Sequence, residues 1–556
     1  MLFTSDLIRA IKKLKVDFNL EKLPNIKKLR SKIENIKLKN NKKKILIATS
    51  AGGLKAQIVL ESLIGLGLEY NGAEVEFLFC DEILPACIIS TYFNTDENII
   101  IKNEKKKICD ICFYSANNYL QKKGGFKINK FSDFISKEDK ENILNNLNLN
   151  YSLDQLRKKK IDNISIGEHA YSGALRYFAK TNDDNEKNFK KIFEQYFKSA
   201  VISKYVMDNI LKEKKFDHIL LNHGIYVPHG IILDIARSKG IPTSTWCPGY
   251  RRNSFCITSG DTYHRSLIYE DNKNWERIKF NEKIEKKIDD YLLDRETGSK
   301  DWIHFYKEKP NILAEDYLYK KGVNFKKPLI GLATSVLWDA QIDFPSNFYK
   351  DQLEWINDTI DHFIKYDEAQ LIIRISPAEV NFIKKSRQKV YEEIFKKYKK
   401  LPNNIFIIKP EDNISTYKIF EKCKNILIYG SRIGIEMAAR GKSVIVCGEG
   451  FIRNKGIATD IDSRKHYINV LSKISKDEIS NNNYDLIRAK KYAYHFFFRR
   501  MQQFKSIKEQ KNSWPNFTIA ENFLENLQNK SDLVLENIIR SINDNEDFIF
   551  KDEEII

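Results

Sequence analysis

The sequence predicts an α/β protein of two Rossmann-like, doubly wound domains facing a cleft, with helical extensions at both ends. Three observations predict it. Residues 44–80 read as strand, glycine turn, amphipathic helix and strand. Residues 327–447 repeat the alternation of strands and helices independently, and a polar, helical stretch at 272–321 separates the two regions. Alternation of this kind is what parallel sheets covered by helices require.

Length and composition set the bounds. A chain of 556 residues, 42% hydrophobic and 12% aromatic, has material for two to four domains with large cores, which excludes a disordered chain. Lys and Arg number 93 against 75 Asp and Glu, a formal net charge of +18. Much of that excess follows a general richness in Lys, Ile and Asn, so a solvated basic surface accounts for most of it. Nucleic acid, an anionic membrane face or an anionic sugar could each use the remainder. No nucleic-acid motif is present, so no nucleic-acid partner is expected. No apolar run approaches bilayer length and the basic start lacks the pattern of a signal peptide. The expectation is a cytoplasmic protein, with peripheral contact at an anionic inner membrane.

In chain order, residues 1–43 form an N-terminal helical extension containing LIRAIKKLK. Residues 44–270 form the first domain, with a helical insertion at 137–215; 271–325 are a helical linker. Residues 326–483 form the second domain, and 484–556 are C-terminal helices packing back. KILIATS (44–50) is a buried parallel-type strand, and Gly52 and Gly53 after it would let a sugar or phosphate approach the backbone, or simply make a tight turn. The pattern is not the dinucleotide fingerprint.

Four of the eight cysteines, Cys80, Cys87, Cys109 and Cys112, cluster in sequence, the last two as CxxC. They could hold a structural Zn²⁺, or be scattered thiols with Cys80 in the core. A strand at 218–222 leads into NHGIYVPHG. His223 sits directly after the apolar strand and is the better candidate for a general base; His229 could converge on the same substrate. A histidine at a strand end can equally be a structural hydrogen-bonder. Glu168, beside His169, is the alternative base.

In the second domain, ILIYGSRIGIEMAARGKSVIVC (426–447) is a strand–turn–helix–turn–strand unit. Ser431 is placed to N-cap the helix, where free N–H groups attract phosphate, and Glu436 is one turn further in, within reach of a ribose. The same pattern fits an ordinary serine-capped crossover.

TSVLWDAQ (334–341), EWINDTIDHF (354–363), LIIRISPAE (371–379), LPNNIFIIKPEDNISTY (401–417), YGSRIGIEMAARGKSVIVCG (429–448), FIRNKGIATDI (451–461) and LNHGIYVPHG (221–230) together resemble a GT-B-type glycosyltransferase of bacterial capsule and surface-polysaccharide biosynthesis. The resemblance implies that the second domain holds a nucleotide-sugar donor, with Arg374, Ser376, Glu379, Ser431, Gly434, Glu436 and Lys455 contacting it. It implies a glycan or lipid-linked acceptor at the first domain and no catalytic metal. Relatives often carry His-Pro where this chain has Ser376-Pro377. A serine cannot titrate near neutral pH, although it can donate to phosphate. Two other functions fit the same pattern: a sugar-nucleotide epimerase, which would need no acceptor, and a non-catalytic scaffold of the polysaccharide machinery.

Overall fold

A computed structural model describes residues 26–34, 43–183, 186–305, 313–340, 342–344, 347–382, 384–478, 485–510 and 516–554. Most of the expected N-terminal extension, including LIRAIKKLK, lies outside the described residues; helix Ile26–Glu34 is within them. The chain divides into two α/β units. Unit 1 comprises Met1–Phe178, Asp183–Ser266 and Arg500–Phe550; unit 2 comprises Ala179–Asn182, Leu267–Arg499 and Lys551–Ile556.

In unit 1, strands β1 (Lys44–Ser50), β2 (Glu74–Phe79), β3 (Lys127–Lys130), β4 (His218–Asn222), β5 (Thr243–Pro248) and β6 (Ser254–Ser259) lie side by side in the order β6-β5-β4-β1-β2-β3. All neighbours are parallel except β5 and β6. From β1 the chain winds outward through β2 and β3, then returns to add β4 and β5 on the other side. The crevice where the winding reverses therefore opens at the carboxyl ends of β1 and β4, where sheets of this type place ligands. Both strands have buried apolar middles, Ile45–Ala48 and Ile219–Leu221, as a central parallel strand covered on two faces must have, with polar residues at their ends. The insertion contributes helices Lys137–Asn145, Leu153–Arg157, Ile166–Phe178 and Phe189–Glu213, and the last two form much of the unit's core.

Unit 2 repeats the design. Strands β7 (Leu329–Ala333), β8 (Gln370–Arg374), β9 (Ile405–Ile408), β10 (Asn425–Ile428), β11 (Ser443–Val446) and β12 (Thr459–Asp460) run in the order β12-β11-β10-β7-β8-β9, all parallel. Here the winding reverses between β7 and β10. The stretch expected as a linker contributes helix Glu282–Asp294, whose Ile284, Ile288, Tyr291 and Leu292 are buried, so it belongs to this unit.

The C-terminal region differs from the all-helical expectation. Helix Leu486–Tyr494 and the helical turn after it carry unit 2 to Arg499, and the chain then re-enters unit 1 as β13 (Met501–Gln503), antiparallel to β6. A hairpin follows, β14 (Ile507–Glu509) with β15 (Phe517–Ile519). Helix Leu533–Asp544 then packs on helix Lys55–Tyr70. At Gly67 that packing is close enough that a Cβ would meet Ile539 Cδ1 at 2.7 Å. Strands of three residues are set by the partner edge they join and leave no periodic trace in the sequence.

Candidate functional site

The carboxyl ends of β1 and β4 in unit 1 are knotted together by hydrogen bonds. The Asn222 backbone N–H donates to Thr49 Oγ1 at 2.9 Å, and the Asn222 amide donates to the Trp246 carbonyl at 3.0 Å. The His223 N–H reaches the same carbonyl at 3.0 Å. Thr49 Oγ1 and Trp246 Nε1 (3.0 Å) both donate to Oε1 of Glu61, which is fully buried. Ser50 and His223, the residues at which β1 and β4 turn, have φ of +60° and +56°, the left-handed region that costs a non-glycine residue about 1–3 kcal/mol. His223 is half-buried while every other residue from 221 to 230 is buried, and its ring lies 5.9 Å from that of Tyr263. The structure thus places one titratable ring at the edge of the unit 1 crevice.

The other residues expected at this site take different roles. His229 is 1% exposed, and its Nε2 lies 2.6 Å from the Thr49 carbonyl, so that nitrogen carries the proton. Burial lowers the affinity of the ring for a second proton to about 4, leaving a neutral fastener between the loop and β1, not a substrate contact. Glu168 is held through both oxygens, each at 2.9 Å, by Arg157, and forms an ion pair between two helices of the insertion. Gly52 does not receive a ligand, because a Cβ there would meet the Cys112 carbonyl oxygen and Ala116 Cβ at 2.4 Å. Gly53 is closed by Ile89 Cδ1 at 2.8 Å. The chain's own helix Lys106–Asn117 fills the space beside Gly52, and it closes Gly53 together with Ile89 of helix Ile88–Tyr92.

That helix also explains the cysteines. Cys80, Cys87, Cys109 and Cys112 line one small cavity with Ser50, Glu82 and Lys105. Zinc does not fit it: among the described residues no three His, Cys, Asp or Glu side chains converge to hold a metal. Burial holds the Cys80 and Cys112 thiols well above their ordinary range and pushes Cys109 up to about 11, so these side chains are neutral thiols at neutral pH. The Lys105 amine also lies 3.9 Å from Cys109 Sγ, a cationic side chain where a cation would have to sit.

In unit 2 several expected donor contacts prove to be structural. Arg374 ends β8 but is 1% exposed. Its Nε donates to Thr416 Oγ1 at 3.1 Å, and its terminal nitrogens donate to the carbonyls of Lys409, Asp412 and Ile414. The guanidinium staples the loop after β9 instead of facing a phosphate. Glu379 is buried and accepts from the Val390 N–H at 2.9 Å, with burial raising its carboxyl to about 7. Lys455 is buried and donates to the carbonyls of Ile268 (3.2 Å) and Glu270 (2.7 Å). Gly434 is a packing residue, because a Cβ would meet Ile428 Cδ1 at 2.5 Å.

Glu436 does not reach out to a ribose either. It is fully buried, 3.1 Å from Arg295 Nε, 3.0 Å from Arg432 Nε and 2.7 Å from the Tyr417 hydroxyl. Burial alone would raise its pKa, but Arg295 and Arg432 outweigh that and hold it below the usual carboxylate range. Ser431 is not the N-cap. Helix Ile433–Ala439 starts one residue later than a Ser431 cap requires, with Arg432 at the capping position and no side-chain cap bond.

What remains at the β7–β10 reversal is a set of partly exposed polar groups. Ser376, after β8, accepts from the Ala378 N–H at 3.3 Å, and its own N–H bonds Thr334 Oγ1 at 3.0 Å. Ser335 follows β7, Ser431 follows β10, and Arg432 has a side chain 16% exposed with Glu436 behind it. A guanidinium steadied by a buried carboxylate beside hydroxyls suits an anionic oxygen ligand. Sequence reading passed over Arg432, although its i,i+4 spacing to Glu436 signalled a partner on the same helix face.

Comparison with known proteins gives the family context. Residues 305–497 match the family model of capsule polysaccharide biosynthesis proteins, so the resemblance read from the sequence is borne out across most of unit 2. No curated protein matches the chain. Among solved structures, the chain resembles the beta Kdo 2,7 transferase of KpsC from Thermosulfurimonas dismutans, at 17% identity and TM-score 0.33, covering 59% of this chain and 90% of that one. The beta Kdo 2,4 transferase of the same protein gives 14% identity and TM-score 0.33, with 51% and 81% covered. UDP-GlcNAc 2-epimerase from Neisseria meningitidis gives 12% and 0.24, with 81% and 97% covered. Among the described residues no helix is long and apolar enough to cross a membrane.

Proposed function

We propose that the protein is a glycosyltransferase of surface-polysaccharide synthesis, moving a sugar from a nucleotide-sugar donor to a hydroxyl of a glycan or its lipid-linked precursor. The observation that carries this reading is the polar group at the β7–β10 reversal of unit 2, inside the span that matches the capsule family model. In it Arg432, held by Glu436, takes the donor phosphates with Ser376 and Ser431 as hydrogen-bond partners, a role the sequence reading gave to Arg374 and Lys455. Stabilising charge on the departing phosphate is the largest single contribution such a site can make. In unit 1, His223 takes the proton of the acceptor hydroxyl as the new glycosidic bond forms.

The test is a panel of nucleotide sugars screened by thermal shift, since a ligand that binds only the native state raises its melting temperature. One donor should stabilise the protein, Arg432→Gln should abolish that shift, and His223→Asn should keep it while losing transfer. A shift that survives Arg432→Gln refutes the site. Turnover of the nucleotide sugar with no acceptor present would replace transfer with epimerisation.

A further inference from the structure

Glu61 is the one acidic side chain of helix Lys55–Tyr70 whose surroundings are wholly uncharged. It is fully buried, faced by Thr49 from β1 and Trp246 from β5, and beyond Thr49 by His229, whose Nε2 is 2.6 Å from the Thr49 carbonyl. Its Oε1 takes two donors, and its buried Oε2 has no hydrogen-bond partner among the described residues.

Two separate chains of contacts run from this carboxyl to the backbone of residues 222–223. One passes through Thr49 Oγ1 to the Asn222 N–H at 2.9 Å. The other passes through Trp246, whose indole donates to Glu61 at 3.0 Å and whose carbonyl accepts from both the Asn222 amide and the His223 N–H at 3.0 Å. The first ends at Asn222, the residue before His223, and the second at His223 itself, whose φ is +56°. A strained conformation persists only where its surroundings over-determine it.

We propose that Glu61 is the positioning residue for His223: its carboxyl, through Thr49 and Trp246, fixes where the His223 ring sits at the end of β4. Naming His223 a base rests on the transferase reading; the positioning itself does not. Burial raises the Glu61 carboxyl to about 8, so at neutral pH it is protonated and the network is uncharged. His229, the nearest titratable group in the network, is held neutral by its own burial. Ionisation of Glu61 would put an uncompensated charge behind β1 and β5 and disturb the two contact chains.

The experiment follows the His223 Cε1–H resonance by NMR in protein labelled with ¹³C-histidine, assigned with His223→Asn, from pH 5 to 9.5. Wild type should show its own titration and a second inflection near pH 8. Glu61→Gln should lose the second inflection and keep the first. Thr49→Val, which retains the carboxyl and cuts one chain, should reduce the second inflection about twofold. It also serves as the test should Glu61→Gln not fold. A single inflection in wild type, or a second one unchanged in both variants, overturns the proposal. Loss of the inflection in a protein that turns over no nucleotide sugar would sustain the positioning and refute the transferase reading.

Discussion

The two sheets reverse direction in the same way, yet their strand ends are held by opposite chemistry. In unit 1, Glu61, Thr49, Asn222, Trp246 and neutral His229 form a network that carries no charge at neutral pH. In unit 2, the turn after β10 is backed by ions: Glu436 lies between Arg295 and Arg432, and Arg295 also pairs with Asp301. Each arrangement leaves one chemically capable side chain at the edge, His223 in the first and Arg432 in the second. An uncharged network suits a group that must exchange a proton, because no fixed charge biases its titration. A charged one suits a group that must remain a cation. The difference predicts different failures when each network is damaged.

The largest effect is expected at Glu436. Replacing it with Ala leaves Arg295, 4% exposed, with Asp301 as its remaining carboxylate and removes the acid between it and Arg432. Breaking a buried pair from one side costs about 3–5 kcal/mol. Urea unfolding should show that loss in the unit 2 transition, and a cost under about 1 kcal/mol would mean the ion cluster is hydrated and the contrast with unit 1 is false.

Next comes pH. Glu61 has a folded pKa of about 8 against 4.5 for a free side chain, so between those values the folded state keeps a proton the unfolded chain has released. Its contribution is therefore fully present below pH 4.5 and is lost progressively as the pH rises to 8. The loss should be on the order of a few kcal/mol. Glu61→Gln should flatten that part of the profile, with thermal melting from pH 5 to 9 as the check. Glu436, whose pKa is lowered, has the opposite sign: its contribution is held above the usual carboxylate range and lost on acidification. Measured as the difference between wild type and the single variant, the Glu61 contribution should fall as the pH rises and the Glu436 contribution as the pH falls. Parallel pH responses would erase the distinction.

Packing at the two turns should differ less. Gly434→Ala puts a methyl against the end of a flexible side chain, Ile428 Cδ1 at 2.5 Å, and should cost about 1–2 kcal/mol. At Gly52 the obstacle is the Cys112 carbonyl at 2.4 Å, which is backbone, so Gly52→Ala should cost more, about 2–3 kcal/mol. Chemical denaturation of the two variants ranks them.

What could be read in the sequence was whatever has a local period. The strands at 44–50 and 426–428, the turns after them and the split into two α/β units all follow from apolar runs and glycine positions. The direction in which a strand-end side chain points has no such period. Arg374 and Lys455 are the right residue types near the right loops, but carbonyls of neighbouring segments, distant in sequence, occupy their donors. Ser431 misses the capping position by one residue. Gly52 and Gly53 were read as room for a sugar or phosphate, but what fills that room is protein: helix Lys106–Asn117 at Gly52 and Ile89 at Gly53. Glu61 escaped notice because an acid within a largely apolar helix gives no sign of which strand end it supports.

The smallest expected effect separates the two candidate bases of unit 1. The Glu168 and Arg157 side chains are 33% and 43% exposed, and the pair is bidentate, with the guanidinium 4.4 Å from the centre of the Tyr171 ring. Partly solvated pairs contribute about 0–1 kcal/mol, and good geometry places this one toward the upper end. Glu168→Gln should therefore cost under about 1 kcal/mol, become milder still in high salt, and leave transfer within about twofold of wild type. His223→Asn should cost little stability, because the bond from its backbone N–H to Trp246 survives the change, and should lower transfer about 10²–10⁴-fold. If instead Glu168→Gln abolishes transfer at unchanged stability, the carboxylate leaves Arg157 during turnover. The base then sits on the helical insertion, and the strain at His223 serves only to turn the chain.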